Sequence, residues 1–116
     1  MAEARERLAG ARDALSSGHA GIAASAGYYA MLYAARAALS ERDLYSKTHS
    51  GAWSLFSEQF VKDGGFAPSL ASEAAKAQEI RELGDYAAKP PSADQAGEIV
   101  ETAAHFITEV ERVLGE

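Results

Sequence analysis

The sequence predicts an all-α fold, an up-and-down antiparallel bundle of four to five helices. Three observations carry this reading. Apolar residues recur at steps of three and four through most of the chain. The pattern is broken sharply at Ser17-Gly18, Asp63-Gly64-Gly65 and Lys89-Pro90-Pro91, and nothing between those breaks calls for a strand. Short links between long amphipathic helices favour antiparallel neighbours.

The first helix is expected over about Ala2 to Ser16, with Ala4, Leu8, Ala11 and Leu15 on one face and Gly18 as its C-terminal stop. The second, about His19 to Glu41, is the longest, and its stripe reads Ile22, Ala26, Tyr29, Tyr33 and Ala37. Its alanines and Gly27 allow a neighbouring helix to approach closely. A polar link through Leu44-Tyr45-Ser46 leads to a third helix, about Thr48 to Lys62, on which His49, Ala52, Trp53, Phe56 and Phe60 share a face. The aromatic residues of that face are read as core or dimer contacts, because too little positive charge surrounds them for a base-stacking platform. The fourth helix, about Ser69 to Tyr86, has a weaker stripe of Leu70, Ala74, Ala77, Ile80 and Gly84. Ser92 and Gln95 then form a capping box. The last helix runs to Leu114 with a continuous stripe of Ala96, Ile99, Val100, Ala103, Phe106, Ile107, Val110, Val113 and Leu114.

The chain of 116 residues is of the size of one domain, and is read as one over 1–116. Apolar residues make up 47 % of it, yet no stretch is apolar for the length of a membrane span. The N-terminal MAEARERLAG mixes charge signs and lacks the apolar core of a signal peptide, so a cytoplasmic location is expected. There is no cysteine, which excludes disulfides, thiolate metal sites and cysteine nucleophiles. His19, His49 and His105 lie far apart without zinc-site spacing, so neither a metal nor another cofactor is expected. With 17 acidic and 11 basic residues the net charge is -6, and no run of Lys and Arg exists to coat DNA or RNA. A local pocket for one nucleotide or one RNA phosphate survives this argument, since a few arginines suffice.

Three segments in order carry a family resemblance: Tyr28-Tyr29-Ala30-Met31-Leu32-Tyr33-Ala34-Ala35-Arg36-Ala37-Ala38-Leu39, Lys47-Thr48-His49-Ser50-Gly51, and Arg81-Glu82-Leu83-Gly84-Asp85-Tyr86. Together with Ala103 and Phe106 of the last helix, they resemble the small prokaryotic branch of the HEPN domains (higher eukaryotes and prokaryotes nucleotide-binding). The resemblance implies a helical bundle, commonly a homodimer, often encoded beside a minimal nucleotidyltransferase, in which the HEPN subunit looks like the toxin of a toxin–antitoxin pair. It also implies metal-independent RNase activity where an Arg, four to six residues and a His stand on one late helix, with a modifiable Tyr two residues after that His.

This chain departs from the motif. Tyr86, five positions after Arg81, stands where the His would be. Arg42 and His49 match the spacing, with six residues between them, but the polar link at Ser46 separates them.

Arg36 follows Tyr29 by seven positions and Tyr33 by three, so it lies along the aromatic stripe. A guanidinium there needs a partner. It is either a structural Arg stacked on tyrosine and paired with a carboxylate, or an anion clamp that uses its planar fork. His49 opens the third helix, whose positive end disfavours its protonation. It is either a packed core histidine or a neutral hydrogen-bonding group or base. Arg81 and Asp85, four apart, can pair along their helix, with Asp85 orienting Arg81 and Tyr86 presenting a hydroxyl at the helix end.

Arg36, His49, Arg81 and Tyr86 are therefore expected to converge on one polar pocket. Arg36, Tyr33, Arg81, Asp85 and Tyr86 would hold a nucleotide or phosphate, and His49 with Arg81 would carry any catalysis. Three functions compete: a non-catalytic subunit that docks on a nucleotidyltransferase and holds a nucleotide or RNA phosphate, a metal-independent RNase toxin acting at a dimer cleft, and a dimerisation bundle without a ligand. The missing motif His and the acidic charge favour the first. A homodimer is expected from the aromatic surface of Tyr28, Tyr29, Tyr33 and the Trp53 face.

Overall fold

The computed structural model describes residues 1–86 and 89–115, the side chain of Tyr86 excepted. Its helices are α1 (Ala2–Ser16), α2 (Ala20–Ser40), α3 (His49–Phe56), α4 (Pro68–Tyr86) and α5 (Ala93–Leu114). A single π-helical turn, Ser57–Val61, continues α3. No strand occurs among the described residues.

The bundle is built around α2, which packs against α1, α5, α3 and α4. Its residues Ala23, Ala24, Tyr28, Ala30, Met31, Leu32, Ala34, Ala35, Ala38 and Leu39 are all buried. This corrects the stripe expected for α2. Ile22 is 63 % exposed, and Ala26, Tyr29, Tyr33 and Ala37 are only partly buried. The helix is apolar nearly all round, so periodicity does not single out the face that points inward. Of the face expected to be core, Tyr29 meets His49 of α3 and Arg81 of α4, whereas Tyr33 meets Arg7 of α1.

The other stripes point inward, with Leu15, Trp53, Leu70, Ile80, Val113 and Leu114 partly buried. Ala4, Leu8 and Ala11 of α1 and Ala96, Ile99, Val100, Ala103, Phe106, Ile107 and Val110 of α5 are buried. Ser92 and Gln95 cap α5 reciprocally, at 3.0 and 3.1 Å. Gly64 sits so close to the π-helical turn that a Cβ there would lie 2.5 Å from the Cα of Phe60, and Gly65 takes φ +79°, so the stop after that turn depends on both glycines. Glu109 of α5 accepts the Ala67 N–H at 3.0 Å, and its neighbour Arg112 donates to the Gly65 carbonyl at 2.7 Å, which fastens this link to α5. The Arg112 guanidinium also holds the Glu109 carboxyl below its ordinary range.

Gly27 marks the closest approach of α2 to α5. A Cβ on it would lie 2.9 Å from Cγ2 of Ile99. Gly27→Val adds three carbons to that contact and should lower stability by about 1–3 kcal/mol, the usual cost of overpacking. Urea denaturation checks this; an unchanged midpoint would show that α2 and α5 can separate without loss.

Candidate functional site: a cation–aromatic cluster

The site forms where α2, the start of α3 and the end of α4 meet. Thr48 caps α3, its hydroxyl accepting the Gly51 N–H at 2.9 Å, and this turn places His49 against α2. Tyr28 is fully buried at the centre. Trp53 Nε1–H donates to the Tyr28 hydroxyl oxygen at 3.0 Å, and that oxygen lies 3.3 Å from His49 Nδ1. A buried hydroxyl needs an acceptor for its own proton. Nδ1 is the one in reach among the described residues, so the order runs from Trp53 through Tyr28 to His49. The tautomer inferred from that order keeps the imidazole proton on Nε2. His49 thereby presents an N–H donor.

Arg81 closes the cluster from α4. Its guanidinium lies 5.3 Å from the ring centroids of both Tyr28 and Tyr29. Nη1 donates to Asp85 Oδ2 at 2.9 Å, with the Arg81 side chain 13 % exposed and that of Asp85 50 %. Asp85 thus orients Arg81 at its solvent end while the guanidinium sits against the adjoining rings of Tyr28 and Tyr29. Arg36 is half-buried and makes no ion pair among the described residues. The Nε atoms of Arg36 and of Arg81 are both buried without a hydrogen-bond partner among the described residues.

These cations act on His49. Its pKa is lowered from the ordinary 6.5, first by burial and then by Arg36 and Arg81, with Glu82 opposing them. Burial pushes the Tyr28 hydroxyl up, against the opposing effects of the Trp53 hydrogen bond and Arg81. The sign for stability follows. Below 6.5 the unfolded chain takes up the His49 proton before the folded one does. The contribution of His49 is therefore fully present above 6.5 and is lost as pH falls from 6.5 through the lower folded value. In NMR titration the His49 ring should show its midpoint below 6.5. A midpoint at or above 6.5 would mean that neither burial nor the two arginines disfavour the charged ring.

The structure brings His49 and Arg81 onto the same two tyrosines, with Asp85 on Arg81, while Arg36 acts on His49 through its charge and makes no contact with it. Tyr33 stands one turn along α2, its ring 6.5 Å from Tyr29 and covered by the Arg7 guanidinium at 5.1 Å. The Tyr86 side chain lies outside the described residues. Arg42 is occupied elsewhere: it donates to the Gln59 carbonyl at 2.9 Å and lies 4.2 Å from the Phe60 ring centroid. Phe56 and Phe60 are buried, as is Tyr28, which removes Tyr28 from the surface that a second copy could cover. The roles of Trp53 and Arg7 were not foreseen. A buried indole N–H usually finds an acceptor, which was the available signal for Trp53; nothing in the spacing pointed to Arg7. Among the described residues no group of His and carboxylates could hold a metal ion. No described helix is long and apolar enough to cross a membrane.

The chain matches the HEPN domain over residues 1–113 and belongs to that family. It is 36 % identical over 86 residues to the UPF0332 protein glr0978 of Gloeobacter violaceus, a match covering 74 % of this chain and 68 % of that one. It is 28 % identical over 89 residues to a Methanocaldococcus jannaschii protein named "Putative toxin MJ0605", covering 77 % of this chain and 66 % of that one. Each match thus spans about two thirds of the relative's length.

Proposed function

We propose that this protein is the HEPN-type subunit of a toxin–antitoxin pair, and that Arg36, His49 and Arg81 bind the phosphate of a nucleotide or RNA. In this reading it forms a homodimer and works beside a small nucleotidyltransferase in the cytoplasm. One observation carries the phosphate site. In a chain of net charge -6, Arg36 and Arg81 each hold a buried Nε without a hydrogen-bond partner among the described residues, and both lower the proton affinity of His49. Unpaired buried donors cost on the order of 1–3 kcal/mol each, which an anion would recover. The relative named as a toxin supports the toxin side of the reading, and the family resemblance supports the nucleotidyltransferase partner.

Cleavage of RNA is the second reading. A neutral imidazole beside two cations supplies the groups for it, a base and a stabiliser of phosphorane charge. The hydrogen-bond order weighs against it, because in the tautomer inferred from that order Nδ1 accepts from Tyr28 and the proton sits on Nε2. His49 then suits donation to a phosphate oxygen better than abstraction of a proton.

Calorimetric titration with inorganic pyrophosphate and with AMP should show saturable binding that weakens as salt is raised. Absence of binding to both at millimolar ligand would overturn the phosphate site. RNA cut by the purified protein in the presence of a chelator would move the conclusion to the second reading. On this reading a small nucleotidyltransferase is encoded beside this gene and co-elutes with the protein from a sizing column, and sedimentation showing only monomer at micromolar concentration would remove the homodimer.

A further inference from the structure

A cavity of about 390 Å³ opens between α3 with its π-helical turn and the first half of α4. Trp53, Phe56 and Val61 form one wall, and Ala71 and Ala75 of α4 form the other. The alanines are too short to fill the gap, and single π-helical turns recur at functional sites. The volume falls within the roughly 300–1,000 Å³ of small-molecule sites. Its lining sets the chemistry of an occupant. No charged side chain contributes to it among the described residues, and its polar groups are Ser57, Ser72 and Gln78. An ion would lose its hydration there without meeting a counter-charge. A neutral ring meets aromatic walls and a few hydroxyl or amide partners.

One wall of this cavity reaches His49. Trp53 packs edge-on against Phe56 and Phe106, with ring centroids at 6.1 and 5.8 Å, and its half-buried ring also lines the cavity. The same indole donates to the Tyr28 hydroxyl, which in turn reaches His49 Nδ1. A hydroxyl that accepts a hydrogen bond becomes a stronger donor, so the two bonds strengthen and weaken together. We propose that the cavity is an effector site for a small uncharged aromatic molecule, acting on His49 through Trp53 and Tyr28. A ring seated against Trp53 displaces the indole from Tyr28 and weakens both bonds. The neutral imidazole then loses support at Nδ1, and its protonation becomes easier. This coupling ends at the imidazole itself, so it stands apart from any phosphate bound there.

The test is NMR on the full chain with benzyl alcohol, benzoate and benzylamine. Trp53 is the sole tryptophan, so its indole N–H gives one signal, and that signal reports on the cavity wall. Benzyl alcohol at millimolar concentration should shift it saturably, with the two ions at least about tenfold weaker. It should also raise the His49 titration midpoint towards 6.5 from the lowered value of the free chain. Ala75→Leu and Ser72→Leu each fill the cavity from an exposed position on α4, where leucine suits the helix. Each should weaken benzyl alcohol by about tenfold. Trp53→Phe keeps a ring on the wall but removes the N–H. The ligand's own signals should then still report binding, while the His49 midpoint no longer moves on addition. Absence of a saturable shift, equal affinities for the three compounds, or binding that leaves His49 unmoved in the parent chain would overturn the effector site. So would a Trp53 signal that moves with protein concentration alone, since a second copy would then cover the cavity.

Discussion

Phe106→Ala is expected to lower the unfolding free energy by about 3–5 kcal/mol, the cost of removing a fully buried aromatic ring from a packed core. The Phe106 ring is fully buried, and its centroid lies 4.9 Å from that of Phe66, 5.5 Å from Phe56 and 5.8 Å from Trp53. Those rings come from the link before α4 and from α3, so one side chain of α5 holds three parts of the bundle together. A domain of this size has only about 5–15 kcal/mol in total, so the loss would be a large fraction of it. The control is His105→Ala. His105 is the preceding residue on α5, its side chain is 67 % exposed, and its sole charged neighbour among the described residues is Glu101 at 3.8 Å. That variant should change stability by no more than about 0.5 kcal/mol. Urea unfolding measures both, and a Phe106→Ala loss below about 1 kcal/mol would mean that the aromatic cluster is not the core.

Arg81→Ala should abolish phosphate and nucleotide binding while leaving helical content unchanged. Charge-assisted hydrogen bonds contribute about 1.5–3 kcal/mol each, and 1.4 kcal/mol is tenfold in affinity, so the loss is at least about tenfold and nearer a hundredfold. The helix itself should tolerate the change, since Ala has the highest helix propensity and the Asp85 left behind is half exposed. Arg81→Lys separates charge from shape. It keeps the cation but loses the planar fork that rests against Tyr28 and Tyr29, so its affinity should fall between the two. His49 provides a readout independent of ligand: with Arg81 gone, its titration midpoint should rise towards 6.5. A bound phosphate should raise it as well, by offsetting the two arginines. An Arg81→Ala chain that binds pyrophosphate like the parent would show that Arg81 is a structural cation held by tyrosines and Asp85.

Part of the site was legible because of a conflict within the sequence. Arg36 and His49 lie on helical faces that are otherwise apolar, and Arg81 precedes Asp85 by one turn; such groups have to meet one another or a ligand. The helix ends were legible for a similar local reason. The Ser92–Gln95 capping box and the glycines at 64 and 65 act through neighbouring backbone groups, so their signals lie within a few residues of where they work.

What the chain order alone determined is thus the helices, their stops, the inward stripes of α1 and α5, and the identity of three polar residues that seek a common partner. Only the tertiary structure decided which face of α2 is covered, because a helix apolar on nearly every side takes its orientation from four neighbours at once. The same holds for the hydrogen-bond order from Trp53 through Tyr28 to His49, for Arg7 on Tyr33, and for Arg42 drawn away to Phe60. Each of these joins residues at least 17 positions apart on different elements. Periodicity reports which way a side chain points from its own helix. Which group it meets there depends on how the helices pack, and no local spacing encodes that.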